Sequence, residues 1–187
     1  IQILSEAVIL YQQSENTSAE QPGNRTGMIQ NPSFKTGGST GWTIYNEANG
    51  GDFKATTIGG RSCWNNWSNN FTSMNVYQDI EGLAPGIYTV SCYAMCGTGE
   101  ITNQHAYVRT ASDSVVSPVM NIDNKWGQPS GWEKLTTTQA IVGNDGKLRM
   151  GFASTSGGGT KGWFCVTDFT LNYYGTDENI LSTALAT

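Results

Sequence analysis

The 187 residues carry 10 lysines and arginines against 15 aspartates and glutamates, a formal net charge of −5, and only 13% of the chain is charged, about half the usual share. The basic residues are scattered, with no run of three; this excludes the phosphate-neutralising stripe of a nucleic-acid binder and the polybasic patch of an anionic-membrane binder. Six Trp, eight Tyr and six Phe are enough apolar bulk for one well-filled core, and few charges with many small polar residues are the mix of an extracellular β protein.

Residues 3–13 read as a short helix, with Leu4, Val8 and Tyr11 at i, i+4, i+7 spacing. A polar stretch over 14–26 follows, broken by Pro22-Gly23, so 1–27 is expected to be a helical lead-in and linker. Ile1 to Tyr11 has neither the basic region nor the small-residue cleavage site of a signal peptide, and the chain is expected to be a piece of a longer one. No stretch approaches the roughly 18 apolar residues of a membrane span, so no membrane insertion is expected. Asn16, Asn24, Asn66 and Asn70 begin N-x-S/T sequons, which matter only in a eukaryotic secretory pathway.

Nine strands are then predicted: 42–45, 53–58, 75–80, 87–96, 105–110, 115–122, 134–142, 147–153 and 162–174. Tyr88, Val90, Cys92 and Ala94 alternate with Thr89, Ser91 and Tyr93, and Leu148, Met150 and Phe152 with Lys147, Arg149 and Gly151. A period of two marks strands with one face in a core and the other nearer water. Ala84-Pro85-Gly86, Gly143-Asn144-Asp145-Gly146 and Gly157-Gly158-Gly159 supply turns. Many short strands without a second helix predict an all-β antiparallel sandwich over 28–175, with 176–187 a C-terminal linker.

Cys92 and Cys96 lie four residues apart in one strand, about 13 Å, too far for a mutual disulfide. Pairing with Cys63 or Cys165, or four buried free thiols, both stay open. Cys-x3-Cys on a strand with a single histidine is poor zinc geometry.

Four segments carry a resemblance. Asn31-Pro32-Ser33-Phe34 precedes Gly41-Trp42; Val76-Tyr77-Gln78-Asp79-Ile80-Glu81-Gly82-Leu83-Ala84-Pro85-Gly86-Ile87-Tyr88-Thr89-Val90 lies in the middle; Gly131-Trp132 precedes a strand; and Trp163 to Leu171 stands near the end. Together, over roughly 28–175, this resembles the carbohydrate-binding modules of the galactose-binding-domain-like superfamily. More narrowly it resembles the variant common in surface and secreted proteins of gut Bacteroidetes, where a Trp-Asn segment like Cys63-Trp64-Asn65-Asn66-Trp67 precedes the strand at 75–80. The resemblance implies a jelly-roll sandwich that binds sugars through its loops. It also implies a structural calcium held by an acidic residue just after the first Asn-x-x-Phe and by an aspartate in the last strand. Asp168 matches the second position, but Lys35 occupies the first, and its ammonium disfavours a cation there.

No catalytic set stands out. His105 is the single histidine and no Gly-x-Ser-x-Gly elbow is present; Gly157 to Gly162 lacks the spacing of a phosphate loop. Sugar binding needs flat aromatic faces with amides, carboxylates or guanidinium beside them. The segment 64–70, read as a loop, offers Asn66 and Trp67; the loop 123–129 offers Trp126; and His105, Tyr107 and Arg109 share one strand face. Trp64 is expected in the core, and Trp42, Trp132 and Trp163 in the core or at the sandwich rim. The leading expectation is a non-catalytic carbohydrate-binding module of a larger secreted or cell-surface glycan-utilisation protein, with carbohydrate and the other domains of its chain as partners. The alternatives are a structural spacer or protein-binding adhesion module and, third, a small sandwich-fold hydrolase or lyase.

Overall fold

The computed structural model describes residues 21–48, 51–97, 101–121 and 125–176, with Ala7 and Tyr11. The helix expected over 3–13 and the C-terminal linker therefore lie, but for Ala7 and Tyr11, outside the described residues.

Ten strands are described: β1 (Gly23–Asn24), β2 (Thr43–Ala48), β3 (Gly51–Ile58), β4 (Arg61–Ile80), β5 (Gly86–Gly97), β6 (Ile101–Arg109), β7 (Ser114–Val116), β8 (Glu133–Thr136), β9 (Ala140–Val142) and β10 (Leu148–Tyr173). All pairings are antiparallel. The architecture turns on β4 and β10, which run beside each other from Leu148 opposite Ile80 to Val166 opposite Trp64. The register shifts between Thr155 and Gly162, and the pair passes there from one sheet into the other. In sheet A, residues 61–68 of β4 and the second half of β10 are flanked by β3 and by β5, which in turn pairs with β8 and β9. In sheet B, residues 71–80 of β4 and the first half of β10 are flanked by β2 and by β6, followed by β7. The result is the expected all-β antiparallel sandwich.

One core fills the space between the sheets. Sheet A contributes Trp64, Cys92, Ala94, Phe164 and Val166, and sheet B contributes Met74, Val76, Ala106, Val108, Met150 and Phe152, all buried. Phe152 and Phe164 meet across the middle with centroids 4.8 Å apart. At one end Trp42 packs on Phe34 and Phe169 at 5.0 and 4.5 Å. The Asn31-Pro32-Ser33-Phe34 segment builds this end. Asn31 and Phe34 adopt left-handed backbone (φ 48° and 52°), rarely occupied by residues with a Cβ. The Asn31 amide stabilises the turn by donating to the carbonyls of Thr36 and Gly38 at 2.6 and 3.0 Å. The Trp42 indole donates to the Asn31 carbonyl at 3.1 Å. At the other end the Tyr88 hydroxyl donates to the Ala84 carbonyl at 2.8 Å, which satisfies a buried polar group. Gly86 (φ 147°) passes so close to Tyr173 that a Cβ would lie 2.5 Å from its ring.

Several sequence-based boundaries need correction. Residues 64–70, expected to lie outside the strands, are strand. The two strands expected at 147–153 and 162–174 are one, with Gly157-Gly158-Gly159 inside it rather than in a hairpin turn. The strand expected over 134–142 is two, separated where Thr137 leaves the ladder to exchange hydrogen bonds with the Val90 backbone. The strand expected over 115–122 stops at Val116, because Pro118 cannot donate to a ladder. All four cysteines are free and buried.

Candidate functional site

Period-two geometry sends alternate residues of sheet A away from the core. On β4 these are Cys63, Asn65 and Trp67; on β10 Lys161, Trp163 and Cys165; on β3 Asp52 and Lys54; on β5 Met95. Register lines them up across the strands: Asp52 opposite Trp67 opposite Trp163, and Lys54 opposite Asn65 opposite Cys165 opposite Met95. Ile58, Cys63, Met95, Trp163 and Cys165 form a second, smaller apolar cluster on this outer face, with Trp67 and Trp132 against it. An outer sheet face with its own apolar floor is prepared for something to lie on it.

The segment from Lys125 to Trp132 covers one end of that floor. The Trp132 indole donates to the Ile58 carbonyl at 3.2 Å. Gly131 is buried because a Cβ would meet Lys125 and Met95 within 3.0 Å, so the segment lies tight on β5. This anchoring places Trp126 edge-on to Trp163, centroids 4.8 Å apart and planes at 84°, while leaving Trp126 48% exposed.

Between these rings lies an open cavity of about 440 Å³ lined by Asp52, Asn65, Trp67, Trp126, Lys161 and Trp163. A second of about 390 Å³ continues from it along β3, sharing Asp52, Asn65 and Trp126 and reaching Gly59. The two form one groove, with three indoles around the larger cavity and Asp52, Lys54, Thr56, Thr57 and Asn65 along the second. Asn65 is buried and fixed: its amide donates to the Asp52 carbonyl and carboxylate at 3.1 and 3.3 Å, and its oxygen accepts the Cys165 thiol at 3.5 Å. Burial, reinforced by a hydrogen bond with Cys63, pushes the Cys165 thiol well above its ordinary range, so it remains a neutral donor under Asn65. The Asp52 carboxylate also meets the Lys54 ammonium at 3.0 Å.

Of the residues singled out in the sequence, Trp67 and Trp126 come together in this groove. Asn66 does not: it points inward from the strand, fully buried, with the Trp64 indole donating to it at 3.4 Å. Its expected place in a surface loop is therefore corrected. His105, Tyr107 and Arg109 do share one face, as expected, but it is the outer face of sheet B. There the Tyr107 ring lies over Gly151, and its hydroxyl donates to Asn75 at 2.9 Å, leaving it 3% exposed. Trp64 is in the core, as is Trp42, and Trp132 sits under the groove end. Trp163 is 5% exposed, yet its ring lines the cavity. Asp52, Asn65, Lys161 and Trp163 were not anticipated as site residues. The signal that would have found them is the β4–β10 register, which a single sequence does not display.

The calcium position fails its own chemistry. The Asp168 carboxylate is engaged by the Arg61 guanidinium, which also lies 3.9 Å over the Tyr93 ring. Among the described residues no group of three or more acidic, histidine or cysteine side chains gathers anywhere. A hard cation needs several oxygen donors, and Asp168 already serves a fixed one.

The chain is a β-sandwich with an aromatic-lined groove on one outer face. No family model matches the chain, and no curated protein matches it. Among solved structures the chain is similar to TmCBM61, determined in complex with β-1,4-galactotriose, at 18% identity and TM-score 0.61, over 78% of this chain and 97% of that one. It is similar to the CBM22-1 xylan-binding domain of Xyn10C from Paenibacillus barcinonensis at 13% identity and TM-score 0.54, over 87% and 100%. A cyclase from Fischerella sp. TAU shares the architecture at 9% identity and TM-score 0.53, over 73% and 86%. The neighbours thus include carbohydrate-binding modules of β-sandwich fold.

Proposed function

We propose that the sheet A groove binds a carbohydrate chain, and that the domain is a non-catalytic module of a larger secreted or cell-surface glycan-utilisation protein of the Bacteroidetes type. The observation that carries this is the trio Trp67, Trp126 and Trp163 around an open cavity floored by the fixed amide of Asn65. Indole faces stack on the C–H side of a pyranose, and a pre-oriented amide hydrogen-bonds its hydroxyls without losing side-chain entropy on binding. The groove's two contiguous cavities together give the volume of a ligand larger than one sugar ring. The sugar ligands named for two of the structural neighbours support the same reading. Glycosidase chemistry needs two carboxyl groups about the scissile bond. The described lining of the groove holds one, Asp52, already bound to Lys54, which favours binding over cleavage. Low charge and abundant small polar residues support an extracellular setting.

A glycan microarray probed with the domain and with a Trp67→Ala, Trp126→Ala double variant tests this. The expected outcome is binding to a defined glycan class that the variant loses by about 100-fold or more, on the basis that each stacked ring contributes about 1.4 kcal/mol, a factor of ten. Binding that survives in the variant would remove the groove from the reading. Absence of glycan binding up to about millimolar concentration would replace it with a spacer or protein-binding role.

A further inference from the structure

The charges lining the groove do not cancel. Asp52 is the carboxylate of both cavities, and it is satisfied by Lys54 at 3.0 Å and by the Asn65 amide. Lys161 remains. It lies two residues before Trp163 on β10, hence on the same face, and lines the larger cavity with Trp67 and Trp163. Among the described residues no carboxylate pairs with it: the ion pairs there join Lys54 to Asp52, Arg61 to Asp168, Lys147 to Glu81 and Arg149 to Asp79. Other cations are spent as well, Arg149 in a two-pronged contact with Asp79 and Arg61 between Asp168 and Tyr93. In a protein of net charge −5, the Lys161 ammonium thus has no carboxylate partner among the described residues and lies beside the indoles of the groove.

We propose that the groove selects an anionic glycan, one whose sugar carries a carboxylate or sulfate group that meets Lys161 while its ring stacks on the tryptophans. This rests on the carbohydrate reading of the same groove and adds the class of sugar. A neutral polysaccharide would leave the exposed Lys161 ammonium without a counter-charge in the bound state, whereas an acidic one supplies a charge-assisted hydrogen bond there. Lys54 does not take this role, because its charge is already engaged by Asp52.

The test is isothermal titration of the domain with galacturonate, glucuronate and sulfated galactose oligosaccharides, each beside its methyl-esterified or desulfated form of the same length. The expected result is that an acidic oligosaccharide binds about three- to tenfold tighter than its neutralised form, a charge-assisted contact in a half-open site. That preference should weaken in 0.5 M salt, where the Debye length falls to about 4 Å, and fall away in Lys161→Gln. Lys161→Arg should retain it. Preference for a carboxylated or for a sulfated ligand names the anion and supports the proposal in either case. Neutral forms binding as tightly as acidic ones, with Lys161→Gln indifferent to both, would overturn it while leaving carbohydrate binding intact. Failure of every glycan, charged or not, would overturn the carbohydrate reading and this inference with it.

Discussion

The outer faces of the two sheets are made of similar residues and do different things. Sheet B presents Tyr77, Tyr107, Arg109 and Arg149; sheet A presents Trp67, Trp163, Lys54 and Lys161 with Trp126 above. On sheet B Tyr77 and Tyr107 have found partners in the chain itself. Tyr107 covers the backbone at Gly151, where an added Cβ would lie 2.9 Å from Tyr77 and 3.0 Å from Tyr107. Arg149 sits 4.1 Å over Tyr77 and holds Asp79 through two bonds of 2.7 and 2.8 Å. On sheet A Asp52, Trp67 and Trp163 stand in one cross-strand row. Trp126 meets Trp163 edge-on at 4.8 Å, the Asn65 amide is fixed, and the cavity beside them stays open. Similar aromatic and cationic composition thus closes one face on itself and leaves an open cavity on the other.

The largest effect that would break this comparison is on sheet B. Tyr107→Ala should destabilise the domain by about 3 kcal/mol, since it empties a buried aromatic site and uncovers Gly151, lowering the melting temperature by roughly 6–12 °C at this chain length. Carbohydrate affinity should be unchanged. A weaker glycan complex in that variant, measured well below its melting point, would show that the faces are not independent. On sheet A the pattern should reverse. Trp126→Ala should lower stability by less than about 1 kcal/mol, because the ring is half-exposed, yet weaken glycan binding by about tenfold, or 1.4 kcal/mol. Thermal melting and titration of the two variants side by side read both quantities.

This asymmetry also explains which parts were legible beforehand. β5 and the first half of β10 announce themselves, because apolar Val90, Cys92, Ala94, Met150 and Phe152 alternate with something else. Residues 61–68 have the same pleat but hide it. Trp64 and Asn66 face the core while Asn65 and Trp67 face the groove, so each side receives one indole and one amide and the hydropathy alternation vanishes. A strand with something bound or covered on both faces has no polar side to betray its period. Trp126 could be singled out because it stands alone in a polar loop. Trp163 could not, since a tryptophan that is both core-packed and cavity-lining reads as core. The glycine run at 157–159 misleads for a different reason: glycine permits a turn but does not require one, and pairing of β10 with β4 on both sides of it decides for the strand.

The smallest expected effect concerns acid. Asp79 is the anionic partner of the sheet B face, and the hydrogen bonds from Arg149 hold its carboxyl below the ordinary aspartate value, against a smaller opposing push from burial. A carboxylate whose folded-state value lies below its unfolded one stabilises the fold fully above the unfolded value and loses that contribution as pH falls through the folded one. Both side chains are largely in water, 57% exposed for Asp79 and 39% for Arg149, so screening limits the contribution to under about 1 kcal/mol. Urea midpoints measured from pH 6 down to pH 2 should therefore fall slightly more steeply for the parent than for Asp79→Asn, the difference appearing below about pH 4. Glycan affinity at pH 6 should be the same in Asp79→Asn as in the parent. A groove that weakened with Asp79 would mean that charge on sheet B is felt on sheet A, and the division of labour between the two faces would fall.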